Sequence, residues 1–328
     1  MTEIATVRGP LPPEQLGATL MHEHVAVLDH ELMRVFPNAY PFDRDEVVAS
    51  AVSRLDRLVD DGIDTIVDMT VLGLGRDVDL LHRVASATRM QIVAATGAYV
   101  LRDLPTTLQL RGPGRTAFGG DDPLVDMFVE DITQGMEGTT IRAAVLKCAT
   151  DRFGMTKDCE RVMRAAAQAH RLTGVLISTH SNASHRGGIE QQQVLSSEGV
   201  PLDRVLIGHC GDSDDLDYLR QLLDTGSSIG MDRFGLDYYL PVEERVRVVV
   251  ELVELGYTDR LVLSHDACCT HIGYTPAEMA VLAPSHDFSL VPRDILPALR
   301  SRGVSEAAIT MMLVENPRRL LTPLPPAG

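Results

Sequence analysis

The chain has 328 residues, with 30 Lys and Arg against 46 Asp and Glu, a formal charge of −16. Hydrophobic residues make up 45%, which is the composition of a folded chain with a large core and excludes intrinsic disorder. The acidic balance argues against nucleic acid or an anionic membrane as partner, since both call for basic patches.

No stretch reaches the roughly 18 consecutive apolar residues of a membrane span. The opening, MTEIATVRGPLPPEQ, lacks the apolar core of a secretory signal, which points to the cytoplasm. Five cysteines (Cys148, Cys159, Cys210, Cys268, Cys269) without CxxC spacing fit a reducing compartment rather than a disulfide framework.

In chain order, the first apolar run is GATLMHEH (17–24). Asp43 then reads as an N-cap, with Glu46 at capping-box spacing. Val47, Val48, Ala51, Leu55, Leu58 and Val59 fall on one helical face, and Gly62 supplies the left-handed end. The next run ends at Asp68, and the third is QIVAATG (91–97). Gly112–Asp122 reads as a long loop. The fourth run is RAAVLKCAT (142–150). Gly174 precedes VLISTH, Gly199 the run ending IGHC, Gly226 SSIGMD, and Gly256 the run LVLSHD. Ala267–Pro292 reads as a second long loop, and LTPLPPAG as a mobile end.

Eight apolar runs separated by helix-length spacers predict a parallel sheet covered on both faces. Eight such units predict one (β/α)8 TIM barrel over residues 1–328, with its chemistry at the C-terminal strand ends. An open doubly wound sheet is the structural alternative, but no GxGxxG follows the first strand.

Several of those strand ends carry metal-ligand residue types. His22 and His24 flank Glu23, and a side-chain period of two turns both imidazoles one way and Glu23 the other. His180, His209 and Asp266 end the fifth, sixth and eighth runs. Four of eight strands ending this way point to a metal site. Lys147 sits near the end of an otherwise apolar strand, where a buried ammonium is costly. A neutral amine there can capture carbon dioxide and become an anionic carbamate bridging two cations. With Asp266 and a hydroxide, that carbamate leaves two divalent ions a residual charge of about +1, suited to stabilising an oxyanion.

HEH on strand one, Lys on four, His on five and six and Asp on eight resembles the binuclear amidohydrolases. The strings GATLMHEH (17–24), TGAY (96–99), VLKCAT (145–150), ISTHS (177–181), IGHCGD (207–212), GMDRFG (230–235), LSHDACCT (263–270) and ENPRRL (315–320) are similar to the phosphotriesterase-like lactonases. The resemblance implies that His22, His24 and Asp266 hold a more buried ion and His180 and His209 a more exposed one. Carboxylated Lys147 and a hydroxide would bridge them. Tyr99 matches a tyrosine lying against substrate, and Arg233 an arginine shaping the cleft.

The implied cofactors are two divalent ions, Zn2+ first, with Co2+, Fe2+ or Mn2+ as substitutes. The implied reaction is opening of N-acyl homoserine lactones and related γ/δ-lactones, with Asp266 moving the proton and organophosphate triesters as secondary substrates. The implied assembly is a homodimer. A dedicated phosphotriesterase, an N-acyl amidase and a non-catalytic binding protein are the alternatives. The loop after strand eight offers Ile272, Tyr274, Met279, Val281, Leu282, Phe288, Leu290 and Val291, either for an acyl tail or to pack the loop onto its own barrel. The substrate pocket is thus expected to include Cys268, Ile272, Gly273 and Tyr274, with Gly273 where family members often carry a tryptophan. His82 and His170 read as helix residues, Asp68 has no ligand role, and His265 should point away from the barrel axis.

Overall fold

Short, nearly all-apolar strands leave no polar face for water, so they are stable only when covered on both sides. The computed structural model, which describes residues 3–114 and 116–325, meets that condition with a closed barrel. Its strands are β1 (Thr19–Val27), β2 (Thr65–Asp68), β3 (Gln91–Gly97), β4 (Val145–Ala149), β5 (Leu176–His180), β6 (Val205–Ile207), β7 (Ser228–Met231) and β8 (Leu261–Leu263). A ninth strand, β9 (Cys268–His271), follows within the segment expected to be a loop. All pair in parallel in the order β8-β7-β6-β5-β4-β3-β2-β1-β9. The ring closes where Asp266 N–H donates to His22 O (3.0 Å) and His24 N–H to Ala267 O (2.8 Å).

The helices between strands are amphipathic and capped. Asp43 accepts from the Asp45 and Glu46 amides to start α1 (Arg44–Asp60), which buries Val47, Ala51, Leu55 and Leu58. Such a cap stabilises by about 1 kcal/mol. Thr156 caps the 17-residue helix α2 (Lys157–Thr173), which ends at Gly174 with φ 72°. His170 lies on α2 and closes its end through Nδ1 and Val175 O (2.6 Å). A Cβ on Gly174 would also stand 1.9 Å from Leu324 O. Leu324 N–H donates to Gly174 O (3.0 Å), so the tail expected to be mobile is tied down at least to that point. Its last residues, 326–328, lie outside the described region.

Two packed layers result. Leu20, Ile66, Ile92, Leu146, Ile177 and Ile207 face outward and meet the helices. Met21, Val67, Val93, Val145, Leu176, Leu206 and Val262 fill the barrel, with Ile4, Leu16, Leu320 and Leu321 joining them. Thr65 Oγ1 bonds Leu16 O (2.5 Å) at the N-terminal end of β2, so this plug closes the barrel bottom. The opposite end is left to polar residues, as a barrel packed with side chains requires.

One irregularity decides which way the histidines point. Between β1 and β2, Leu20 pairs with Ile66 but Glu23 with Asp68, an extra residue in β1. Met21 belongs to the interior cluster. Strict alternation from Met21 would send His22 outward, and the bulge restores it to the inside.

Candidate metal centre and substrate cleft

At the C-terminal strand ends, six side chains aim at one region. Lys147 Nζ lies 2.8 Å from His22 Nε2, and His209 Nε2 lies 2.9 Å from His180 Nδ1. Asp266 Oδ1 lies 3.2 Å from His24 Nε2 and 3.7 Å from His22 Nε2. Its Oδ2 lies 3.8 Å from His209 Nε2. His22, His24 and Asp266 each place a donor atom within 4.8 Å of the others. All five predicted strand-end ligands and Lys147 therefore come together.

The orientation of three of the four rings is fixed by hydrogen bonds from behind. Asp232, fully buried, accepts from His22 Nδ1 (3.0 Å) and from His209 Nδ1 (3.1 Å) and amide (2.7 Å). That assigns the proton of both rings to Nδ1 and turns the Nε2 lone pairs to the centre. His22, His209 and Asp232 also satisfy a metal-group geometry. Because Asp232 occupies the Nδ1 sides, it orients the ligands rather than joining them. His24 Nδ1 meets Thr70 Oγ1 (2.9 Å), and Asp68 holds the Thr70 amide (2.9 Å). Asp68 thus acts two contacts from the centre.

Glu23 faces outward and is wholly buried. Its Oε1 accepts from Ser264 Oγ (2.9 Å), the His265 amide (2.9 Å) and His265 Nδ1 (2.8 Å), and its Oε2 from the Ala267 amide (2.8 Å). His265 points away from the axis as alternation requires, and its Nε2 accepts from the Val291 amide (2.8 Å). Between these bonds sits Asp266 with φ 58°, while His209 has φ 62°. Left-handed backbone at non-glycine residues is strained and needs surroundings that enforce it.

Electrostatics favour the ligand forms. Burial pushes His180 down to about 4 and His22 and His209 below their ordinary values, keeping the imidazoles neutral. Burial also lowers Lys147 to about 8. It has no ion-pair partner within 4.0 Å among the described residues, and its recorded side-chain partner is an imidazole. A Cβ at Gly97 would lie 1.9 Å from Lys147 O, so only glycine lets β3 approach this strand. Burial alone would raise Asp266, but His209, Arg233 and His22 hold its carboxyl well below the usual range.

These buried neutral imidazoles, a carboxylate and an unpaired amine fit divalent cations. A family model for the phosphotriesterase family matches residues 2–321. The chain belongs to the phosphotriesterase family. A "phosphotriesterase homology protein" of Mycobacterium tuberculosis (strain ATCC 25618 / H37Rv) is 47% identical over 321 residues, covering 98% of each chain. An "aryldialkylphosphatase" of Saccharolobus solfataricus is 40% identical over 311 residues, covering 94% of this chain and 96% of its own. The solved structure of the phosphotriesterase from M. tuberculosis superposes with a TM-score of 0.95 at 46% identity, over 97% of this chain and 98% of that one. The barrel is thus that of a phosphotriesterase-family hydrolase.

Above the centre lies a cleft of about 200 Å³, lined in part by Tyr99, Arg233, Leu236, Tyr238, Cys268, His271, Tyr274 and Met279. Tyr99 follows the end of β3 and stands edge-on to His180, with centroids 5.2 Å apart. Burial raises its phenol, which stays protonated. Arg233 donates through Nε to Asp266 Oδ2 (2.8 Å) and through Nη1 to Asp212 Oδ2 (2.9 Å). It lines the cleft, but its charge is committed to two carboxylates rather than left free for substrate. The Cys268 thiol is raised to about 12 by burial and is no nucleophile.

Two expected pocket residues are corrected. Ile272 and Gly273 do not line the cleft. Because β9 pairs with β1 in the register Cys268↔His24 and His271↔Val27, His271 takes the position facing the cleft, and the Ile272 amide bonds Val27 O (2.9 Å). Among the apolar residues expected for an acyl tail, Tyr274, Met279 and Leu282 line the cleft. Phe288 and Val291 are core, and Val281 is 86% exposed. Asp232 was legible as a carboxylate ending strand seven. Asp212 and His271 carry no comparable signal: a short helical turn after β6 places the first, and the pairing of β9 with β1 places the second.

Proposed function

We propose that the chain is a metal-dependent lactonase, opening N-acyl homoserine lactones and related γ/δ-lactones, with organophosphate triester hydrolysis as a secondary activity. The observation that carries the reading is the convergence of His22, His24, Lys147, His180, His209 and Asp266 under one cleft. In this reading His22, His24 and Asp266 hold one divalent ion and His180 and His209 the other. Lys147, neutral and without an ion-pair partner, would add to carbon dioxide and give up a proton, and the resulting carbamate would serve as a further anionic ligand. Bound there, two divalent cations (Zn2+ first; Co2+, Fe2+ or Mn2+ as substitutes) supply Lewis acidity and lower the pKa of water from 15.7 toward about 7.

The chain's own groups do the rest. Asp266 accepts the proton of the attacking water and returns it to the ring oxygen that leaves as alcohol. Arg233, anchored by Asp212, keeps that carboxylate ionised and in place. Tyr99 offers its hydroxyl to the ester from the His180 side. Leu236, Tyr238, Tyr274 and Met279 shield the reacting bond from bulk water. Support for ester and phosphotriester chemistry comes from the family and from the aryldialkylphosphatase relative.

The test is a comparison of kcat/KM for an N-acyl homoserine lactone, an aryl dialkyl phosphate and an N-acyl amino acid on fully metallated protein. The lactone should lead. An amide or phosphotriester turned over at least tenfold faster overturns the assignment.

A further inference from the structure

The cleft is smaller than the roughly 300 Å³ at which pockets for extended ligands begin, but it does not stand alone. A second cavity of about 470 Å³ lies between α1 and the segment after β9. The two share Cys268, His271, Tyr274, Met279 and His286 as a common wall. His271 stacks flat on Tyr274 there, with centroids 4.1 Å apart and an interplanar angle of 11°. Gly273 permits the stack, since a Cβ would stand 2.9 Å from the His271 ring.

The opposite wall is a stripe of α1 running from Glu46 through Ser50 to Arg54 and Arg57. At 1.5 Å per residue, Glu46 and Arg54 are about 12 Å apart along the helix. The cavity therefore has an acidic end and a basic end. Arg54 is half-buried and Arg57 exposed, and neither guanidinium has an ion-pair or hydrogen-bond partner among the described residues. Asp287 lines the same cavity and feels the Arg54 charge. It already accepts from the Phe288 amide (2.8 Å) and Ser289 Oγ (2.7 Å). Arg293 lines the adjoining depression and pairs with Asp61 (2.8 Å). Two unpartnered guanidinium groups beside one occupied carboxylate leave a local positive excess on a chain of charge −16. Planar guanidinium donors suit a carboxylate in particular.

We propose that Arg54 and Arg57 form a distal anion-recognising subsite, selecting esters whose acyl chain ends in a carboxylate. The inference rests on the lactonase reading for its reacting end. The methylene chain runs past the stacked His271 and Tyr274 rings and Met279 of the shared wall, and the basic end takes the terminal charge.

The experiment compares lactones of matched, graded acyl length that end in methyl or in carboxylate. On the metallated wild type the carboxylate-ended member should show about tenfold higher kcat/KM at the best length, the worth of one charge-assisted hydrogen bond. Arg54→Met should bring the ratio close to one, and Arg54→Glu should invert it toward a chain ending in ammonium. The ratio should fall with added salt. A wild-type ratio near one, or a ratio indifferent to both substitutions, overturns the subsite. Calorimetric titration with the ring-opened, carboxylate-ended product reads the same site without turnover. Arg54-dependent binding with no lactone cleavage sinks the lactonase reading and keeps the subsite. Cleavage with Arg54-independent ratio and binding does the reverse. Thermal melting checks that each variant is folded.

Discussion

Glu23→Gln tests the claim that a residue outside the ligand set holds the centre in shape. The substitution preserves volume but exchanges one carboxylate oxygen for an amide NH2. Three donors from Ser264 and His265 face Oε1 and one from Ala267 faces Oε2. The better amide orientation keeps its oxygen toward the three and sets NH2 against the Ala267 amide. One charge-assisted bond is lost and three become neutral. Bonds to charged groups contribute about 1.5–3 kcal/mol and neutral ones about 0.5–1.5. The cost should be about 4.5–7.5 kcal/mol, a large part of the 5–15 kcal/mol typical of folded domains. The loss falls on the segment that keeps Asp266 at positive φ, so the variant should also hold metal more weakly. Urea unfolding and elemental analysis of the dialysed protein measure the two effects. A variant within about 1 kcal/mol of wild type, with full metal content, refutes the argument. Glu23→Asp should fall between.

Lys147→Ala should drop bound metal well below two ions per chain and abolish most turnover, with partial rescue by added short carboxylates or bicarbonate; full activity without rescue removes the carbamate argument. Asp232→Asn keeps the contacts to His22 and His209 but loses the charge that fixes their tautomers. Metal affinity should fall about 10–100-fold, read by competition with a chelator. Tyr99→Phe should retain metal and lower turnover, and unchanged kinetics would deny the hydroxyl its contact with the ester. Sedimentation should show a homodimer; a monomer at assay concentrations corrects that expectation.

Much of the fold was legible because it depends on local regularities. An apolar strand, a capped amphipathic helix such as α1 and a terminal glycine such as Gly174 are each specified within one stretch of chain. Their eightfold alternation leaves few ways to cover both sheet faces. The long segment after β8 was less legible. Cys268–His271 becomes a strand only because β1 offers unpaired backbone groups beside it, and the pairing register turns His271, not Ile272, toward the cleft. Among the described residues, no helix is long and apolar enough to cross a membrane.

From the sequence alone, the strand-end rule and the family strings singled out His22, His24, Lys147, His180, His209 and Asp266, because a strand's last residues must project from the barrel mouth. The tertiary structure decided the rest. The extra residue in β1 sets the phase of its histidines, Asp232 chooses their tautomers, and Glu23 imposes the Asp266 backbone. Arg233 spends its charge on Asp266 and Asp212. These are contacts between residues tens to hundreds of positions apart, such as the 242 that separate Glu23 from His265. No local period encodes them, since they exist only once the ring of strands has closed.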